Sequence, residues 1–236
     1  MNPLLLVIPL VVVLGVAWFA GRTIRRYDDD LPRGAMPKSE RIAKTILMRN
    51  RISSVRVEGG DGDFYAPMAR RIELSHKRIA RRSTSAAAIA AHEAAHAVQH
   101  AVRFLGFMAW LVLAIPSTLA SLAWFPVAIG AAALDSDVLA DVAFGLFGFT
   151  VAVSVVTVWV EVDASRRALR ELRELRAPGL DQRGARRVLV VCGATYVADT
   201  VLDLGFVGRR LRRDDDAAGG RSSDDDGGDF IGGQLD

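Results

Sequence analysis

Cysteine and histidine are scarce in this sequence, and its positive and negative charges almost balance. The single cysteine, Cys192, excludes an internal disulfide and a metal site built from several thiolates. A net charge of +3 over 236 residues is too small to indicate a nucleic-acid partner, because such partners are bound by concentrated basic residues. The four histidines are unevenly distributed, since three of them lie at positions 92, 96 and 100.

Apolar residues, by contrast, are abundant and occur in long runs without charge. They make up 51% of the chain. The first run, PLLLVIPLVVVLGVAWFA at residues 3–20, is long enough to cross the hydrocarbon core of a bilayer. Arginines follow this run instead of preceding it, and Trp18 does not suit a cleavage site, which favours an uncleaved anchor over a cleaved signal peptide. We therefore predict a membrane anchor at residues 1–21 and a polar linker at residues 22–35.

Two further apolar runs occupy residues 104–160. The first ends at Leu134 and contains Pro116, where a helix could break, and the second ends at Val160. The turn between them, DSDVLAD, has no lysine or arginine, whereas arginines follow the first and the third apolar runs of the chain. Under the positive-inside rule the acidic turn lies outside and residues 22–103 lie in the cytoplasm. The sequence thus predicts a multi-pass protein of the inner or plasma membrane, in contact with membrane lipid.

Residues 36–103 have the mixed patterns of a small folded segment. KSERIAKTILMRN has the apolar spacing of a helix, and SSVRVE and RRIELS alternate as short strands do. The glycine-bearing stretch between these strands could join them as a hairpin, and the strand at residues 72–75 could offer an edge to an extended substrate. An alanine-rich helix follows, with Ser83, Thr84 or Ser85 as its cap, and runs directly into the next apolar run.

The alanine-rich helix contains the motif HExxH in the stretch AIAAHEAAHAVQHA. His92 and His96 are one turn apart, so both imidazoles lie on one face and can bind one zinc ion. Glu93 then lies beside the metal-bound water, where it can act as general base and return the proton to the leaving amine. Incidental polar residues on an alanine-rich helix are the alternative, which the preceding strands disfavour. We predict a Zn²⁺ cofactor in a small α+β, zincin-like segment of a mainly α, multi-span membrane protein.

A third zinc ligand has to come from outside the motif. His100 lies roughly 12 Å along the helix from His92 at about 1.5 Å per residue, which is too far for zinc bonds. We expect it on the surface or behind the ligands. The extended pattern HExxHxxGxxH is absent as well, because Gln99 occupies its glycine position. Glu161 and Asp163 are the leading candidates, since a carboxylate directly after an apolar run is costly without a function. Weaker candidates lie in the folded segment: Glu58, Glu73 and His76.

Residues 161–212 are predicted to hold the third-ligand helix and an apolar helix after it. Glu171 and Glu174 lie among arginines at helical spacing, as on a salt-bridged face. The apolar stretch at residues 188–208 has basic flanks and two aspartates, so we expect it to lie at the interface or on the bundle without crossing the membrane. The acidic, glycine-rich residues 213–236 are expected to be disordered.

The motif, and EVDASRRAL after two further apolar runs, resemble the neutral zinc metallopeptidases of bacterial membranes. The resemblance covers nearly the whole chain and includes KSERIAKTILMRN, DFYAP, RRIELS and RRVLVVCGATYVA. It implies that His92 and His96 bind zinc and that Glu161 is the third ligand. It also implies that Glu93 is the catalytic base.

The chain departs from that family's usual pattern at three places. Ala95 stands where glycine commonly precedes the second histidine. Phe64 and Ala66 replace a histidine and an aspartate in the DFYAP loop, and His76 and Lys77 follow the second strand where acidic residues are usual. All residues of the implied zinc set are present.

These observations predict a membrane-embedded zinc-dependent endopeptidase that acts on a peptide or membrane-protein substrate, with its active site on the cytoplasmic side. One alternative is a protease of the membrane quality-control or prenyl-protein-processing type. Another is a catalytically silent membrane scaffold that binds zinc for structure. A closed site with four protein ligands would favour the scaffold, and an open position would favour the enzyme.

Overall fold

The chain folds into a mainly helical structure with one small sheet, as the mainly α part of the expected fold class states, whereas its multi-span part stays a prediction. The computed structural model describes residues 4–29 and 36–194. Its elements are α1 (Leu4–Asp29), α2 (Ser39–Arg49), β1 (Arg56–Gly60), β2 (Phe64–Ala66), β3 (Arg71–Ser75), α3 (His76–Ile79), α4 (Thr84–Ala101), α5 (Leu105–Ala133) and α6 (Asp137–Leu175). Residues 182–194 form a further helix, α7.

The sheet has the order β1-β3-β2, so β3 is its central strand. The strands predicted at SSVRVE and RRIELS are confirmed, but the hairpin between them is wrong. β1 and β3 run parallel, and β2, which lies inside the predicted loop, pairs antiparallel with β3. The prediction of a free edge at residues 72–75 is wrong for the same reason, because β3 has a partner on each side. Ile72 and Leu74 of β3 are fully buried and anchor the sheet on the helices.

Helix α4 is the central element of the core, where it contacts α2 and α6. Its buried apolar residues are nearly all alanines: Ala86, Ala87, Ala88, Ala90, Ala91, Ala94, Ala95, Ala97 and Val98. On α6, Ala164 and Ala168 are fully buried in the same cluster. Small side chains on two facing helices let their backbones approach closely, so a polar side chain on one helix can reach the other.

The start of α4 is held by a cap and by the end of α1. Ser83 is the N-cap, and its hydroxyl accepts a hydrogen bond from the backbone N–H of Ala86 at 3.2 Å. The hydroxyls of Ser83 and Ser85 both donate to the carboxylate of Asp28, at 2.7 and 2.9 Å. A carboxylate at a helix N-terminus also interacts favourably with the helix dipole. The end of α1 is therefore fastened to the helix that carries HExxH.

Two helices, α5 and α6, are long and apolar enough to cross a membrane by length and composition. They pack against each other, and α5 continues through Pro116 without a break. α4 does not run directly into α5, because Arg103, with φ 51°, and Phe104 separate the two helices. α6 continues through the predicted boundary at Val160 to Leu175 as one helix.

Several predicted segments fall partly or wholly outside the described residues. The linker at 22–35 begins as part of α1, which extends to Asp29, and residues 30–35 are not described. Only residues 188–194 of the predicted interfacial stretch are described, as part of α7. The tail at residues 213–236 lies outside the described chain. The crossing of a membrane by residues 1–21 stays a prediction.

Candidate metal centre

The two motif histidines and one carboxylate from a distant helix converge on a single point. His92 and His96 project from α4, and their Nε2 atoms are 3.2 Å apart. Glu161 projects from α6, with Oε2 2.9 Å from Nε2 of His92 and Oε1 3.6 Å from Nε2 of His96. Among the described residues, this is the only group of three metal-binding side chains whose ligand atoms all lie within 4.8 Å of one another.

The spacing of these atoms fits a zinc ion. With zinc bonds of about 2.0–2.1 Å in tetrahedral geometry, ligand atoms stand about 3.3 Å apart. The two Nε2 atoms are 3.2 Å apart, and each lies near one oxygen of Glu161, at 2.9 Å for Oε2 and 3.6 Å for Oε1, so the separations of neighbouring atoms are close to that value. Two imidazole nitrogens and one carboxylate oxygen are also the ligand set of a class of catalytic zinc sites.

Gln99 orients His96 from behind. Its amide nitrogen donates to the Val160 carbonyl at 2.9 Å and to Asp163 at 2.8 Å. Its amide oxygen therefore faces Nδ1 of His96, at 3.0 Å, and can only accept a hydrogen bond. Nδ1 must then carry the proton, which leaves Nε2 of the neutral ring with a free lone pair. This is the tautomer that a metal ligand requires, and such outer hydrogen bonds fix ligand orientation.

Asp163, the other leading candidate for third ligand, takes part in the site through Gln99 and not through the metal position. Its carboxylate also accepts a hydrogen bond from Arg167, one turn along α6, at 2.6 Å. Nδ1 of His92 lies 3.4 Å from the hydroxyl of Ser165, which is also on α6. The ligands are thus backed by polar groups of α6 on both sides.

The remaining candidates lie elsewhere. His100 is outside the ligand group, as predicted from its spacing, and Nδ1 of its ring is 2.8 Å from the hydroxyl of Tyr65. Glu58 and Glu73 both form ion pairs with Arg71 on the sheet. His76 begins α3, where its ring packs over Gly59.

The acidic residues later on α6 do form ion pairs, but not with their neighbours on that helix. Glu171 and Glu174 both pair with Arg49, at the end of α2. These ion pairs join α2 to the part of α6 that follows its apolar run.

A cavity of about 340 Å³ opens beside the ligand atoms. Glu93 lines it and is only 8% exposed. Burial raises the pKa of Glu93, and the imidazoles of His92 and His96 oppose that shift. Burial also acts to raise the pKa of Glu161, but hydrogen bonds with the two histidines outweigh it and hold this pKa at about 2. The pKa values of the two carboxyl groups are therefore shifted in opposite directions, as expected where one must hold a cation and the other must take up a proton.

The charge distribution favours a cation at the point where the ligands meet. Burial acts to lower the pKa of His96, but the hydrogen bond to Glu161 and the charges of Glu93 and Glu161 raise it. Without a metal ion, a proton on the His96 imidazole offsets part of this negative charge. A divalent cation bound to the same three atoms would offset it without protonating the histidines.

Sequence reasoning missed three features of the site. Gln99 was identified only as a departure from the extended motif, although it lies on the same helix face as His96, three residues away. Tyr65 lines the cavity beside His100, and burial raises the pKa of its hydroxyl. An ion pair between Asp63 and Arg78 lines it as well. These last contacts join residues far apart in the chain, so no local pattern reveals them.

The departures from the family pattern leave the ligands undisturbed. Ala95 is fully buried in the core and is not among the residues that line the cavity. Phe64 lies in β2 and lines the cavity, so the side chain at this position contributes to the shape of the site.

Comparison with known families places the chain in one of them. The family described as "Putative neutral zinc metallopeptidase" matches residues 3–212, and the chain belongs to this family. The match supports the predicted Zn²⁺ cofactor, and His92, His96 and Glu161 form a possible site for it. Comparisons with curated proteins and with solved structures found no significant match.

The ligand geometry predicts the effects of four alanine substitutions. His92→Ala, His96→Ala and Glu161→Ala should each remove most of the zinc from purified protein, because each deletes one of three converging donors. His100→Ala is the matched control and should retain zinc. Elemental analysis after dialysis against a weak chelator measures the content. Full zinc retention in Glu161→Ala would exclude this carboxylate from the site.

The hydrogen bonds of Gln99 predict a positioning effect on the metal. Gln99→Leu should lower zinc affinity about 10- to 100-fold, because His96 loses the acceptor that fixes its tautomer. Competition with chelators of graded affinity measures the change. Gln182→Leu is the control, since it too removes an amide that donates to a backbone carbonyl, that of Leu172 at 2.9 Å. Equal weakening by both substitutions would mean that general destabilisation, and not the orientation of His96, is responsible.

Proposed function

We propose that the protein is a membrane-embedded zinc-dependent endopeptidase. The observation that carries this proposal is the open cavity beside three converging ligands, with Glu93 on its wall. Three protein ligands and an accessible fourth side are typical of catalytic zinc sites, whereas structural sites are closed by four protein ligands. The same observation favours an enzyme over a silent zinc-binding scaffold.

The side chains of the site would have different roles in peptide hydrolysis. A zinc ion held by His92, His96 and Glu161 would supply a Lewis acid that polarises the scissile carbonyl and acidifies a water molecule. Glu93 takes the proton from the attacking water and delivers it to the leaving nitrogen. Its raised pKa brings proton uptake and release closer to the neutral range, which suits a group that must do both.

The sheet offers the substrate a strand edge next to this cavity. β2 is an edge strand, and Phe64 and Tyr65 of this strand line the cavity. An extended peptide that pairs with the free side of β2 would bring one of its peptide bonds towards the ligands, with main-chain hydrogen bonds supplying affinity. This mode of binding replaces the pairing with β3 expected from the sequence.

The apolar helices and the tryptophans support a position at the membrane boundary. Trp159 directly precedes the end of the third apolar run, and Trp110 lies near the start of α5 on the wall of the cavity. Tryptophan is enriched at membrane–water interfaces. Glu161 then lies at the level where α6 leaves the bilayer. The arginines on α6 and the acidic turn between α5 and α6 favour the cytoplasmic side for the site.

A single conservative substitution tests the chemistry. Glu93→Gln should retain zinc and abolish cleavage of a peptide library by the protein in detergent, because an amide cannot accept the proton of the attacking water. Glu40→Gln is the matched control, since Glu40 makes only an exposed ion pair with Lys44. It should retain both zinc and activity.

Activity equal to that of the unmodified protein in Glu93→Gln would overturn the proposed mechanism. Zinc retention without cleavage in the unmodified protein, over a broad peptide library, would favour the scaffold.

The membrane placement is tested with single cysteines at exposed positions. Ligands a few ångströms apart cannot lie on opposite sides of a hydrocarbon core about 30 Å thick, so the segments carrying HExxH and Glu161 must share a side. In a Cys192→Ala background, Met68→Cys and Arg170→Cys should react with an impermeant thiol reagent only after the cells are permeabilised. Asp135→Cys, in the acidic turn, should react in intact cells.

The labelling pattern separates two possible errors. Reaction of both Met68→Cys and Arg170→Cys in intact cells would place the site outside. Reaction of only one of them would contradict the shared side, and with it the assignment of Glu161.

A further inference from the structure

A second cavity, of about 720 Å³, lies between α1 and α7, away from the metal centre. Its walls are one face of each helix, with lining residues spaced three and four apart. Five of the lining residues are arginines: Arg22, Arg26, Arg183, Arg186 and Arg187. Thr23 and Tyr27 add hydroxyl groups, and no acidic side chain lines the cavity.

The positive charges of this arginine cavity are not balanced within the described structure. None of its five guanidinium groups forms an ion pair with a carboxylate of residues 4–29 or 36–194, although eleven ion pairs occur elsewhere in these residues. Arg187 instead donates a hydrogen bond to the hydroxyl of Tyr27, at 2.9 Å, across the cavity. Clustered like charges in a partly enclosed space repel one another, and a bound anion would remove that repulsion.

The cavity lies at the level where an apolar run ends. The charge-free residues 3–20 lead directly into it, and Trp18, which is 63% exposed, stands one turn before Arg22. The guanidinium carbon of Arg22 is 5.7 Å from the centre of the Trp18 ring. An exposed tryptophan followed by arginines is typical of a membrane–water interface, where lipid phosphates lie. Phe19 and Val190 add apolar surface to the same cavity.

We propose that the arginine cavity binds the phosphate headgroup of an anionic phospholipid. Basic pockets between membrane helices on the cytoplasmic side have the chemistry for such headgroups, and guanidinium groups match phosphate oxygens in a bidentate fashion. The apolar residues at the rim suit the start of the acyl chains. This proposal rests on the membrane placement proposed above, but not on the peptidase activity.

The lipid site and the metal centre share α7 as a common wall. Arg183, Arg186 and Val190 lie on the face of α7 that lines the arginine cavity, whereas Leu189 and Cys192 lie on the opposite face and line the metal cavity. A headgroup held against α7 therefore positions the helix that closes the metal cavity from one side.

Short-chain lipids added to the full-length protein in detergent test the proposal. Binding of dioctanoyl-phosphatidylglycerol, measured by native mass spectrometry, should be clear for the unmodified protein, and dioctanoyl-phosphatidylcholine should bind far more weakly. The variant Arg183→Gln with Arg186→Gln should lose affinity for the anionic lipid about 25-fold, given about fivefold for each arginine near a lipid phosphate. Arg166→Gln with Arg170→Gln removes the same charge from exposed positions on α6 and should bind as the unmodified protein does.

Each other outcome has a definite meaning. Equal loss in both double variants would overturn the site, because the effect would then follow net charge alone. If inorganic phosphate displaces the bound anionic lipid as effectively as the same concentration of free lipid does, the assignment of a lipid headgroup is wrong. The cavity would then bind a soluble phosphate compound. Zinc content, measured in the same samples, should not change and shows that the variants are folded.

Failure of the membrane placement would be visible separately. If alkaline carbonate releases the protein from membranes, the membrane placement is wrong. If the protein stays in the membrane but binds both lipids equally well, only the proposed lipid site in the arginine cavity is wrong.

Discussion

Two imidazoles on α4 and one carboxylate on α6 have to reach the same point, and most of the described structure serves this requirement. The ligand atoms lie within 4.8 Å of one another, so the two helices can be displaced only slightly. Alanines on the buried surfaces of α4 allow the close approach. Ser83 and Asp28 hold the start of α4, and Gln99 ties its end to α6 through the Val160 carbonyl and Asp163. The register of α4 on α6 is therefore held on both sides of the motif.

The close approach of α4 and α6 buries more negative charge than an apolar core tolerates without compensation. Glu93 and Glu161 both line one cavity, and their pKa values move in opposite directions, because the histidines bond directly to only one of them. A cation at the ligand point resolves this conflict. Asp163 is half-buried nearby at lower cost, since its carboxylate accepts hydrogen bonds from Arg167 and Gln99. Affinity for a metal and the folding of this region are thus expected to depend on each other.

Helix α6 connects this chemistry to the apolar part of the molecule. It is a single helix of 39 residues that contains both a membrane-length apolar run and Glu161, so the depth of the metal centre relative to that run is set by one rigid element. α1 and α7 complete the arrangement from the other side. α1 ends on the cap of α4, and α7 presents Leu189 to the metal cavity and arginines to a separate one.

Local sequence patterns were sufficient for the helices, two of the strands, the shared face of His92 and His96, and the position of His100 outside the ligand group. Periodicity and rise per residue depend only on neighbours in the chain. The family resemblance added Glu161. The residues alone left Glu161 and Asp163 open, since two positions two apart on a helix point in nearly opposite directions, and only packing on α4 decides which of them meets the histidines. Contacts between distant segments likewise determine the parallel pairing of β1 with β3, the edge at β2 and the role of Gln99. Only the tertiary structure decided these three features, because no local pattern reveals such contacts.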